Sequence, residues 1–296
     1  MDWSPLVMSK PGFPADAPQA MPSGAFSPGT GILVVGHGTA DPVGVAETQA
    51  VAHGVAAFLP GVPVTLGFLE VVGPDIGEAI GVLAAAGCRE VVVAPLLLFE
   101  AGHAKRDVPE AIRAAAVAEG MVVRQAEPLG CHPAMVALSR RRRLEAVAAM
   151  SDVSPEETTL VVVGRGSSDP AAPAQLAAFA AATLAADQPP RRLLFGFAAA
   201  ARPTLAEAID TAGDPADDGV RRIIVQPHLL FRGHVEDQVI AAINAGRARR
   251  PDIEWVRAAR LGADALVVTA VVARAAAAAA FVGIKSPRQT DGKSSQ

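Results

Sequence analysis

The chain says nearly the same thing twice. Gly31 to Pro42 reads Gly-Ile-Leu-Val-Val-Gly-His-Gly-Thr-Ala-Asp-Pro, and Thr159 to Pro170 reads Thr-Leu-Val-Val-Val-Gly-Arg-Gly-Ser-Ser-Asp-Pro. Val64-Thr65-Leu66-Gly67-Phe68 returns as Leu193-Leu194-Phe195-Gly196-Phe197. Pro95 to His103 returns as Pro227 to His234 with a one-residue gap. A unit of about 130 residues is too long for a solenoid, whose repeats run roughly 20 to 50 residues. The 296 residues therefore hold a duplicated domain, which fits the usual size of one domain per 100 to 200 residues or so.

Each unit alternates short apolar runs with stretches of helical periodicity. In the first, strands are expected at Ile32 to Val35, Val62 to Leu69, Glu90 to Leu98 and Met121 to Ala126. Helices are expected at Val43 to Phe58, Asp75 to Ala86, about Ala104 to Ala118 and Pro133 to Met150. Alternation of this kind predicts α/β domains, each a doubly wound parallel sheet with helices on both faces. The expected division is a disordered extension over residues 1–29, which holds six prolines, a first domain over 30–150, a degenerate second copy over 159–283, and a disordered tail over 284–296. The two copies should face each other across a cleft, a favoured place for small-molecule sites.

Composition removes several function classes. Hydrophobic residues make up 51% of the chain, yet the excess is alanine spread along helices, and no run approaches the roughly 20 residues that a membrane span needs. A cytoplasmic protein without a membrane partner is expected. A net charge of −4 argues against nucleic acid, whose partners carry a basic excess. Arg140 to Arg143 reads as a solvated helix face. Cys88 and Cys131 lack the spacing of a metal or disulfide framework. The Gly-Lys-Ser/Thr ending of a P-loop, the third glycine of a dinucleotide fingerprint and a Gly-x-Ser-x-Gly elbow are all missing, so neither ATP nor an organic cofactor is expected.

What remains is a set of residues at strand ends. His37 follows the first strand, Glu70 ends the second, and His103 lies beyond the third. Parallel strands put their carboxyl ends together, so the three emerge on one edge, where ligands bind in open α/β sheets. Two imidazoles and a carboxylate suit a borderline divalent metal, and they equally suit proton abstraction near neutral pH. The second copy offers Arg165, Ala199 and His234 instead, so the first half carries the chemistry. Of the other histidines, His53 reads as a helix residue, His132 as a helix cap, and His228 as the counterpart of a first-half leucine.

Together, Gly36-His37-Gly38-Thr39, Phe68-Leu69-Glu70, Pro95-Leu96-Leu97-Leu98 and Gly102-His103-Ala104-x-x-Asp107-Val108-Pro109 resemble the sirohydrochlorin chelatases in their long, two-domain form. The resemblance implies insertion of Co²⁺ or Fe²⁺ into a tetrapyrrole without ATP, in cobalamin or sirohaem biosynthesis, with His37, Glu70 and His103 as metal ligands and catalytic groups. It also implies a substrate rim of carboxylates, for which Lys105, Arg106, Arg165, Arg202 and Arg232, helped by His234, are the expected partners. Two other readings use the same residues: a tetrapyrrole or metal carrier without catalysis, and a metal-dependent hydrolase. A duplicated chain can close such a cleft as a monomer.

Overall fold

A computed structural model describes residues 25–99 and 107–280. Each half is a four-stranded parallel sheet. In the first, β1 (Thr30–Gly36), β2 (Val64–Phe68), β3 (Glu90–Pro95) and β4 (Val122–Gln125) lie in the order β2-β1-β3-β4. The second repeats that order as β6-β5-β7-β8, using β5 (Thr158–Gly164), β6 (Arg192–Phe197), β7 (Arg222–Pro227) and β8 (Glu254–Arg257). The helices are α1 (Pro42–Phe58), α2 (Ile76–Ala85), α3 (Asp107–Ala118), α4 (Pro133–Val147), α5 (Ala172–Leu184), α6 (Leu205–Ala212), α7 (His234–Arg249) and α8 (Ala265–Ala280). Both sheets are wound outward in two directions from their first strand. The switch point therefore lies between β1 and β3, and between β5 and β7.

The inner strands β1 and β5 carry unbroken apolar runs because both of their faces are covered. Ile32 and Val34 join one core cluster with α1 and α8, while Leu33 and Val35 join another with α2 and α3. Helix starts are written into the sequence. Asp41 caps α1, with its carboxylate accepting from the Val43 N–H at 2.9 Å, and Asp75 with Glu78 forms a capping box on α2. Thr204 with Glu207 repeats that box on α6. A reciprocal box satisfies two orphan N–H groups at once.

The last helices cross over. Val267, Val268, Val271 and Ala275 of α8 pack on the first sheet beside Ile32 and Val34, while Ala146 and Val147 at the end of α4 join the cluster under the second sheet. The boundary expected near residues 150–159 divides the chain but not the packing. Helix α8 is apolar on nearly all sides, and such a helix needs cover all round; it gets it from the first sheet, α1 and α4.

This exchange also explains the arginine run, which is not a solvated face. Arg143 is 6% exposed. It donates to Asp187 at 2.6 Å, to the Thr183 carbonyl at 3.1 Å and to Gln226 at 3.2 Å. Arg140 reaches the same Asp187, while Arg141 and Arg142 reach Asp264 at the start of α8. The stretch pins α4 to the second half and to α8. The extension expected over 1–29 also differs from its expectation where it is described: Phe26 is 6% exposed, inside the cluster under α1. A phenylalanine beside an apolar sheet face is drawn in whatever the proline content before it. Among the described residues no helix is long and apolar enough to cross a membrane.

Candidate functional site

His37 and Glu70 are brought together by backbone, through one glycine. After β1 the chain turns at Gly38, whose φ is 97°. A Cβ at that position would stand 1.9 Å from the Glu70 carbonyl oxygen, so only glycine allows this approach. The Leu69 N–H donates to the Gly36 carbonyl at 3.0 Å and the Glu70 N–H to the His37 carbonyl at 3.1 Å. These bonds extend the β1–β2 pairing beyond the strands. They set His37 Nε2 3.2 Å from Glu70 Oε1, with the side chains 42% and 61% exposed.

The imidazole of His37 is held below its ordinary pKa range. Partial burial is the main cause, and the positive charge of Arg165 adds to it, while Glu70 pulls the other way. The ring is thereby kept neutral near pH 7, with a lone pair to offer a metal or a proton. The start of α1, just past this lip, packs against the loop that follows β7. Close by, a Cβ on Gly44 would lie 2.2 Å from the Arg232 carbonyl, and the Arg232 N–H donates to Glu47 at 2.8 Å.

The second half repeats the backbone without the chemistry. Gly166 has φ 89°, and a Cβ there would stand 1.7 Å from the Ala199 carbonyl oxygen. Arg165 and Ala199 occupy the places of His37 and Glu70. His234 opens α7 and lies 3.0 Å from the side chain of Gln238. Of the expected rim, Arg202 pairs with Glu207. Arg232 is held by Asp237 at 2.6 Å, by the Gly233 carbonyl at 3.1 Å and by Asp41 at 3.6 Å. Its guanidinium is thus committed to the protein. Arg165 is exposed and among the described residues makes no ion pair. His103, Lys105 and Arg106 lie outside the described residues, and within them no three metal-ligating side chains converge.

One functional-edge feature escaped the sequence reading. Glu236, 3% exposed, takes Arg257 and Arg260 at 2.7 Å each, and Arg260 also binds Glu47 of α1. This network joins the two halves. No local signal marks it, because Glu47 and its partners are about two hundred residues apart.

Two doubly wound lobes, with an imidazole and a carboxylate on the strand lip of one and an arginine at the matching place in the other, define a duplicated α/β protein. The chain belongs to the CbiX family, whose model matches it twice, over residues 31–146 and 159–278. It is 30% identical over 226 residues to the sirohydrochlorin ferrochelatase of Bacillus subtilis (strain 168), a match spanning 75% of this chain and 82% of that one. It is 25% identical over 233 residues to the sirohydrochlorin cobaltochelatase of Priestia megaterium, across 78% and 74% of the two chains. Among solved structures, SirB from Bacillus subtilis with Fe³⁺ superposes with a TM-score of 0.73 at 28% identity, covering 85% of this chain and 96% of that one. The family is the one that the motifs at His37, Glu70 and His103 resemble.

Proposed function

We propose that this chain is a sirohydrochlorin chelatase, which takes Co²⁺ or Fe²⁺ as one substrate and the tetrapyrrole as the other. The observation that carries the reading is the contact of His37 with Glu70, made by the half of the chain whose strand lip keeps both residues. Insertion requires the loss of two pyrrole N–H protons and the exchange of the ion's water for nitrogen donors. A neutral imidazole at His37 serves as a ligand, with His103 as its partner. The Glu70 carboxylate, 61% exposed, is free to share the ion or to accept a proton. Arg165 meets the carboxylates of the substrate's rim, because its planar fork binds two oxygens at once and no side chain of the described protein competes for it. Arg232 belongs to the joint between the halves instead.

The test is anaerobic incubation of the pure protein with sirohydrochlorin and each metal in turn, followed by visible spectra. The wild type should speed the shift from the free to the metallated spectrum, and His37→Ala should lose most of that acceleration while keeping its melting temperature. Both side chains sit at a lip, so truncation opens no large cavity. Binding of the tetrapyrrole without any acceleration would make the chain a carrier, and full activity in His37→Ala would remove the metal role from the β1 lip.

A further inference from the structure

Val71, the residue after Glu70, holds a conformation that its side chain disfavours. Its φ is 72°, and the Val72 N–H donates to the Glu70 carbonyl at 2.8 Å. Glu70, Val71 and Val72 thus make a γ-turn of the positive-φ kind, which is rare and strained. For a β-branched residue such a φ is a true outlier, whereas glycine would adopt it freely.

The neighbours show how the turn is kept. Leu69 packs against the cluster under α2 and α3, and Val72 against the cluster on the other face of the sheet. The Glu70 carbonyl between them is trapped above Gly38. Val71 itself belongs to neither cluster and is 64% exposed. The chain therefore keeps a bulky apolar group where glycine would be easier, in the residue next to the Glu70 carboxylate, and neither core uses that group.

The duplicate separates scaffold from purpose. Ala200 follows Ala199 with φ 55°, and the Ala199 carbonyl is trapped above Gly166 in the same way. A left-handed residue is thus common to both halves. What distinguishes the first half is the isopropyl group, and it occurs in the half that carries His37 and Glu70.

We infer that Val71 is a substrate contact, the apolar seat on which one face of the macrocycle rests beside Glu70. This rests on the proposed function. A conjugated ring has a flat apolar face and, in this substrate class, a charged rim; His37, Glu70 and Arg165 serve the metal and the rim but offer the face nothing. An isopropyl group next to the carboxylate sets the height of the ring without competing for its charges.

The test compares Val71→Gly and Val71→Ile with the wild type, titrating sirohydrochlorin without metal and following absorbance, with thermal unfolding in parallel. Val71→Gly should bind roughly tenfold more weakly, about what losing the partial burial of a valine side chain corresponds to. The same variant should melt about 2–4 °C higher as the strain is released, and Val71→Ile should bind as the wild type does. A purely structural role would move melting and leave binding alone. Val71→Gly binding like a wild type that inserts metal would overturn the contact while leaving the chelatase reading intact. A lower melting temperature in Val71→Gly would overturn the strain premise. A wild type that binds no tetrapyrrole would overturn both this contact and the proposed function.

Discussion

His228 should make this protein sensitive to acid, and His228→Leu should cure it. The ring is 4% exposed, lies between Phe99 and Phe179 with centroids 5.0 and 4.1 Å away, and has no hydrogen-bond partner for either nitrogen among the described residues. Burial pushes its pKa down from 6.5 to about 3. Above pH 6.5 the group is neutral in both the folded and the unfolded chain, and its titration contributes nothing. As the pH falls from 6.5 towards 3, the unfolded chain takes up a proton that the folded chain refuses, so stability drops by about 1.4 kcal/mol per pH unit, up to roughly 5 kcal/mol in all. Leucine is the natural replacement, because Leu96 fills the matching place: its N–H donates to Val35 at 2.8 Å, as that of His228 does to Val163. At pH 7 the swap removes two orphan polar atoms, worth on the order of 1–3 kcal/mol, and gives up ring contacts of about 1 kcal/mol. Urea unfolding followed by circular dichroism at pH 7, 6, 5 and 4.5 measures the gap between the two proteins. The gap should widen by about 3 kcal/mol between pH 6.5 and 4.5. A gap that stays constant across that range would show that His228 is not held neutral by the fold.

Gly38→Ala and Gly166→Ala form a pair: each adds a Cβ within 2 Å of a carbonyl oxygen at a positive φ, so both should lower the melting temperature. Only Gly38→Ala displaces a carboxylate, and only it should stop metal insertion in spectra taken at a temperature where both variants are folded. Arg165→Ala should raise the apparent KM for the tetrapyrrole about tenfold, one lost charge-assisted contact, and lower turnover less; it should also let His37 titrate at higher pH in the NMR spectrum of the metal-free chain, since Arg165 is one cause of its lowered pKa. Arg143→Ala should cost about 3 kcal/mol in urea unfolding, because it strips a buried cation from Asp187 and Gln226. Arg141→Ala, whose side chain is 44% exposed, should cost less than about 1 kcal/mol.

The scaffold was legible because its signals are local. Ile32 to Val35, the Asp41-Pro42 start and the Asp75 and Thr204 boxes each lie within a few residues, and the second copy repeats them. The lip at His37 and Glu70 was legible for the same reason, since each residue ends an apolar run. Contacts between distant segments were not. The pattern of α4 predicts a helix but not which sheet it serves, and Arg140 to Arg143 looked solvated because Asp187 and Asp264 are about 45 and 120 residues further on. Phe26 was hidden by the prolines around it. The turn at Val71 was invisible for a different reason: valine favours extended backbone, so nothing in its residue type marks a positive-φ turn.

The exchange of α4 and α8 bears directly on the site. Two lobes joined by a loop alone would hinge freely, and a charge on one lip would have no fixed effect on the other. Here each lobe takes a helix from the other half into its core, and Glu47 of α1 holds the β7–α7 loop through the Arg232 N–H and the β8–α8 connection through Arg260. The joint therefore runs through packed apolar surface and through buried charge, and opening it would expose both. The two strand edges are thus held in a fixed relation, and the charge of Arg165, at the place that His37 holds in the first copy, adds to the lowering of the His37 pKa. The two copies thus differ at their lips: one carries an imidazole and a carboxylate, and the other a fixed cation. Under the proposed function the first lip serves the metal ion and the second the anionic rim of the macrocycle, so one joint fixes both.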